Sequence, residues 1–120
     1  MPRWRDGTGL LLLPDRPPVP LEIASSYRAR TWGLLGRDGV EGALLLTPAS
    51  GIHTFRMRFP IDVAYLDREL TVRVVRTMAP GRLGLPRVWG RHVLEGAAGS
   101  FGGWGVGVGV RVGVWGPGVA

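Results

Sequence analysis

The chain has 120 residues, 45% of them hydrophobic, with 15 basic and 9 acidic side chains for a formal charge of +6, and no cysteine. That length suits one domain able to bury about two-thirds of its unfolded surface without a staple. The lack of cysteine excludes a disulfide framework, a thiol nucleophile and a thiolate-ligated zinc site. Every basic residue is arginine; together with 20 glycines and 10 prolines this reads as a compositional bias, so the charge by itself does not point to a nucleic-acid partner.

Arg3 and Arg5 precede an apolar run of four leucines, residues 10–13. A secretory core needs about seven apolar residues or more and a membrane helix about twenty, so the expectation is a soluble cytoplasmic protein with no membrane span. Residues 9–13 read as a short apolar strand, 14–18 as a proline-rich turn and 19–24 as the returning strand of a hairpin. Ser25 or Ser26 is suited to cap a helix over residues 27–35 by accepting an orphaned backbone N–H, with Gly36 at its stop. Tyr27, Thr31, Leu34 and Leu35 share one face of that helix, and Gly33 weakens it by about 1 kcal/mol relative to alanine.

Residues 43–46 form a short buried strand. Residues 53–59 then alternate, with His53, Phe55, Met57 and Phe59 against Thr54, Arg56 and Arg58, the period of a half-buried strand. Pro60 interrupts the ladder. Residues 61–66 continue as an almost wholly apolar run in which Asp62 needs a partner. Asp67, Arg68 and Glu69 turn the chain into a strand over residues 70–75, with Leu70, Val72 and Val74 on one face, completing a second hairpin.

Residues 78–86 contain Pro80-Gly81 and Gly84-Leu85-Pro86, and are expected as an exposed loop suited to a lid or a partner contact. Residues 87–95 supply another strand, whereas residues 97–104 are too glycine-rich to count as a helix. From 103 to 114 glycine alternates with Trp104 and valines, a strand with one nearly bare face that needs close cover by another backbone. The expected architecture is mainly β: a small sandwich or barrel of short, mostly antiparallel strands with one short α-helix. It forms a single domain over residues 1–115, followed by a disordered tail at 116–120.

Chemistry is written more faintly. His53 and His92 are the only imidazoles, and neither has a ligand-type neighbour two to four residues on, so no metal site and no cofactor is expected. Ser50, His53 and Asp62 spell a triad, but no serine sits in a G-x-S-x-G turn. Asp62 and Glu95 form a nominal acid–base pair, each with a quieter explanation. Asp62 can bond backbone freed at the Pro60 bend or pair with an arginine, and Glu95 closes an apolar run before Gly96. Arg56 and Arg58, with Arg73 on the neighbouring strand, read as a solvated strand face balancing Asp62, Asp67 and Glu69.

Four blocks stand in a telling order: Arg30-Thr-Trp-Gly-Leu-Leu-Gly-Arg37, Gly42-Ala-Leu-Leu-Leu46, the stretch from His53 to Asp67, and Val93-Leu-Glu-Gly-Ala-Ala-Gly99. Together they resemble the successive blocks of the domain of unknown function 192 family, over residues 8–114. The resemblance implies a compact, mainly β domain with a short helix. Its matched positions include Arg30, Gly33, Arg37, Met57, Pro60, Asp62 and Glu95, while the family's Gly-Asp turn before the last strand is replaced by Gly109-Val110.

No established reaction comes with that family. The expectation is therefore a non-catalytic domain that binds an unknown small molecule or protein through Arg30, Arg37, His53, Met57, Asp62 and Glu95, with no catalytic residue assigned. The alternatives are a hydrolase-like enzyme using His53 with Asp62 or Ser50, and a weak electrostatic nucleic-acid binder. The oligomeric state is not legible in these residues.

Overall fold

The computed structural model describes residues 5–116. The hairpin at the start is β1 (Gly7–Leu12) and β2 (Val19–Ala24), paired antiparallel, and α1 (Tyr27–Trp32) leads on to β3 (Ala43–Leu46). Ser26 caps α1 by accepting the Ala29 N–H at 3.0 Å, and Asp6 braces the same turn by accepting the backbone N–H groups of Ser25 and Ser26 at 2.6 and 2.8 Å. The helix stops at Gly33, not Gly36, because Gly33 takes φ 44°, a left-handed value that ends an α-helix at little cost only in glycine. The crossover through α1 makes β2 and β3 parallel within a mostly antiparallel sheet.

Next come β4 (Ile52–His53), β5 (Ile61–Leu66), β6 (Val72–Met78) and β7 (Leu83–Gly84), then β8 (His92–Ala97), α2 (Ser100–Trp104) and β9 (Gly113–Trp115). Seven strands form one sheet in the order β6-β5-β8-β3-β2-β1-β9, and β4 pairs with β7 in a separate two-stranded ribbon. Beyond Trp104 the chain returns to the far edge, where the Val72 N–H donates to Val110 and the Val112 N–H to Leu70, before it joins β1 as β9. One chain segment thus touches both edges of the curled sheet.

The curl divides the apolar residues into two clusters. Leu11, Leu21, Leu45, Leu66 and Leu94 point inward with Phe101 of α2, while Leu44, Leu46, Ile61, Val63, Tyr65 and Val93 cover the other face beneath Leu34 and Met57. Strands β3 and β5 are buried on both faces, which explains their almost unbroken apolar sequences.

Several sequence expectations are corrected, among them the strand expected over residues 87–95, which begins only at His92 as β8 and runs on to Ala97. The strand expected over residues 53–59 ends at His53, since Met57 turns back to donate to the Thr54 carbonyl and Arg56 adopts φ 64°. Its alternation was misleading: Thr54 is fully buried, its hydroxyl donating to Ala79 at 2.7 Å, while Phe55 is exposed. The loop expected over residues 78–86 contributes Met78 to β6 and contains β7. A second helix, α2, forms despite its glycines, and the alternating valine–glycine tail is a strand only over Gly113–Trp115, with Val106 and Val112 buried as a plug. Of the tail expected to be disordered, residues 117–120 lie outside the described residues.

Candidate functional site

Strand pairing decides where the two suspected carboxylates go. Asp62 on β5 lies opposite Gly96 on β8, and Glu95 on β8 lies opposite Val63 on β5, so the acids project from opposite faces of the sheet. On the α2 side, Asp62 accepts the Gly99 N–H at 2.9 Å, the Phe101 N–H at 3.2 Å and the Thr77 hydroxyl at 2.8 Å. The absence of a side chain at Gly96 admits Trp104 and Ser100, which a Cβ there would strike at 2.7 and 2.6 Å. Asp62 is a buried cap for α2, with no arginine on it among the described residues.

On the opposite face, Glu95 is 3% exposed, flanked across the ladder by Leu44 and Val63. No hydrogen bond or ion pair reaches its carboxylate among the described residues. Burial pushes its pKa up to about 8, opposed only by the charge of Arg37. Over most of the physiological range this group is a neutral acid able to donate a hydrogen bond.

Glu95 lines a cavity of about 110 Å³ together with Arg30, Gly33, Leu46, His53 and Met57. Gly33 brings the end of α1 over it, a Cβ at that position standing 4.0 Å from Glu95 Oε1. Arg30, Leu46 and Gly51 continue into a wider depression of about 530 Å³, whose walls include Pro48, Ser50, Pro86 and Arg91. Arg30 stands at the junction, its Nη1 donating to the Pro48 carbonyl at 2.9 Å while its buried Nε has no partner among the described residues. Loop hydrogen bonds from Ala49 to Arg91 and from Arg87 to Ser50 hold the outer walls together.

Arg30, His53, Met57 and Glu95 therefore line one cavity, whereas Arg37 and Asp62 stand elsewhere. Arg37 is engaged by both oxygens of Glu22, at 3.1 and 2.8 Å, and that hydrogen bonding raises its pKa. His53 is exposed and stacks on Phe55 with ring centroids 5.1 Å apart. No hydrogen bond joins Ser50, His53 and Asp62 among the described residues, so the triad does not assemble. His92 is buried, its Nδ1 2.7 Å from the Thr47 hydroxyl.

Three or more metal-ligating side chains do not gather anywhere among the described residues. The basic face expected of Arg56, Arg58 and Arg73 dissolves as well. Arg56 turns in a left-handed bend, Arg58 donates to Asp38 at 2.9 Å, and Arg73 pairs with Asp67 and lies over the Trp89 ring. Sequence reasoning missed Pro48, Gly90 and Arg91 as cleft residues, because loops bring them together and no periodicity marks them.

The DUF192 family model, described as an uncharacterized ACR, matches residues 11–114. This chain belongs to the DUF192 family. A UPF0127 protein of Pyrococcus abyssi is 33% identical over 84 residues, 66% of this chain and 72% of its own length. A UPF0127 protein of Pyrococcus horikoshii is 31% identical over 84 residues, with 66% and 73% covered. Two solved structures share the DUF192 architecture seen here. A protein of Sinorhizobium meliloti described as a candidate transcription regulator superposes with TM-score 0.76 at 17% identity, covering 93% of this chain and 97% of that one. A protein of unknown function from Novosphingobium aromaticivorans gives TM-score 0.73 at 16% identity, covering 96% and 93%. At those identities the likeness shows the fold. No helix among the described residues is long and apolar enough to cross a membrane.

Proposed function

We propose that this DUF192 domain binds a small molecule in the cleft that runs from Arg91 past Arg30 to Glu95, and that it binds without transforming its ligand. The observation that carries this reading is a buried carboxyl, unpaired among the described residues, lining the same cavity as Arg30, whose buried Nε has no partner among them. A buried polar group left without a partner costs roughly 1–3 kcal/mol, and a ligand that bonds the Glu95 acid and the Arg30 guanidinium recovers part of that cost. The matching chemistry is a compact molecule with a carboxylate for Arg30 and a hydrogen-bond acceptor for the neutral Glu95 acid. Met57, Leu46 and Leu34 supply the apolar wall between them.

The catalytic alternative finds no support in the site, because His53 has neither a nucleophile nor a carboxylate bonded to it among the described residues. At 17% identity the likeness to the Sinorhizobium neighbour carries the fold alone, so its regulator description brings no DNA-binding reading to this chain. The cytoplasm is the proposed compartment, which cell fractionation checks.

Calorimetry with succinate, acetate and a panel of small hydroxy acids at pH 6.5 tests the reading. The expected result is saturable binding that Arg30→Ala weakens about tenfold or more and that fades above pH 8, as Glu95 ionises and repels the carboxylate. Binding that Arg30→Ala leaves intact, or no binding by any compound at millimolar concentration, would overturn it.

A further inference from the structure

A second concave surface lies beyond the Pro86 wall of the cleft. It is a groove of about 680 Å³ between the outer edge of β6 and the segment carrying β7, and its lining includes Arg76, Arg82, Arg87 and Tyr65. No carboxylate lines it, and none of the three arginines takes part in an ion pair among the described residues. Among the described residues Arg76 donates only to the adjacent Val75 carbonyl, and the buried Nε of Arg87 has no partner. Asp62, the nearest acid by register, is turned to the other face by its pairing opposite Gly96 and Thr77 and is occupied there by α2.

Tyr65 forms the floor. Its residue is 1% exposed, the Arg87 guanidinium sits 5.1 Å over its ring, and its hydroxyl makes no hydrogen bond among the described residues. Gly84 leaves room for that hydroxyl, since a Cβ at this position would overlap it. Leu83 and Leu85, 59% and 65% exposed, stand on the rim with Met78 in the wall.

Three like charges held around one concavity repel one another and are accommodated at low cost when an anion lies between them. Arginine forks suit the several oxygens of a phosphate, a phenol can donate to one more, and exposed leucines beside them suit an apolar body. We propose that this groove is a binding site for a phosphate monoester carrying an apolar or aromatic group, with Arg76, Arg82 and Arg87 holding the phosphate and Leu83 and Leu85 covering the rest. The site is separate from the Arg30–Glu95 cleft and does not rest on it.

Phenyl phosphate is the probe, with inorganic phosphate and a single-stranded oligonucleotide as comparators, measured by calorimetry on the full chain in 0.15 M salt. The expected result is one saturable site for phenyl phosphate, tighter than for inorganic phosphate. Arg82→Ala and Arg76→Ala, both at exposed positions, each weaken it about tenfold or more. Arg68→Ala, an exposed arginine on the turn after β5, leaves it unchanged and controls for net charge. Equal loss in Arg68→Ala, full binding in Arg82→Ala, or an oligonucleotide that binds tighter than phenyl phosphate would overturn the proposal.

Discussion

Asp62 and Glu95 stand on neighbouring strands one residue out of register, and that single step sends them to opposite faces of the sheet. Asp62 finds two backbone N–H groups and a hydroxyl there, whereas Glu95 finds leucine, valine and a cavity. The same residue chemistry thus becomes a structural cap on one side and a neutral acid on the other.

The cap has a measurable weight. Asp62→Ala leaves the Gly99 and Phe101 N–H groups without their acceptor, and the expected loss is about 3 kcal/mol in urea unfolding, with α2 detached from Gly96. Asp62→Asn keeps one acceptor oxygen and loses less. Ligand binding in the Glu95 cleft is unchanged in whatever fraction stays folded, because the two acids face apart.

Stability depends on pH in two opposed windows. Glu95 keeps its proton in the folded state up to about 8 but loses it near 4.5 when unfolded, so the folded state binds more protons and stability falls as pH rises between those values. His92, buried and neutral, has its pKa lowered to about 4 by burial, so its contribution is full above 6.5 and lost as pH falls toward 4. Between about 4.5 and 6.5 the slopes cancel, and a plateau is expected there. Above it, stability falls by up to about 1.4 kcal/mol per pH unit, and Glu95→Gln removes that decline. Urea midpoints measured from pH 4 to 9 check both arms; a Glu95→Gln profile parallel to the parent would refute the assignment.

Close backbone approach separates two glycines of similar appearance. A Cβ at Gly9 would overlap the Trp115 carbonyl of β9, whereas one at Gly39 meets nothing within 4 Å. Gly9→Ala is expected to cost about 1–3 kcal/mol by prising β9 from β1. Gly39→Ala is expected to be neutral or to stabilise by about 0.5 kcal/mol through the unfolded chain. Thermal unfolding of the pair reads the contrast directly.

The Thr47–His92 bond ties β8 to the end of β3 inside the core. Thr47→Val removes the hydroxyl from a buried imidazole with little change of shape. A loss of about 1–2 kcal/mol is expected, with the histidine ring resonances shifted in an NMR spectrum.

By itself, the sequence determined the elements whose apolar pattern is local. The opening hairpin, a serine cap on α1, β3 and β5 follow from local runs and turns, and the mainly β class follows from them. Strand β6 begins only at Val72, and a bulge opposite Tyr65 and Leu66 puts Val74 in the other apolar cluster from Val72, so the expected shared face of Leu70, Val72 and Val74 is not kept. The sequence also marked Arg30, His53, Met57 and Glu95, although not that one cavity joins them. Residues 53–59 show the limit. Their alternation is that of a strand, yet a buried Thr54 hydroxyl and the left-handed Arg56 make a turn, because the hydrogen bonds that decide it reach Ala79 and Arg82. Helix α2 was hidden for a similar reason: its glycines oppose helix formation, and the carboxylate that caps it belongs to a residue 37 positions away from Gly99. What only the tertiary structure decided is which face each polar residue meets. Local periodicity sets the spacing of side chains, but the register between distant strands sets their surroundings, and surroundings fix whether a carboxylate is a cap, an ion or a neutral acid.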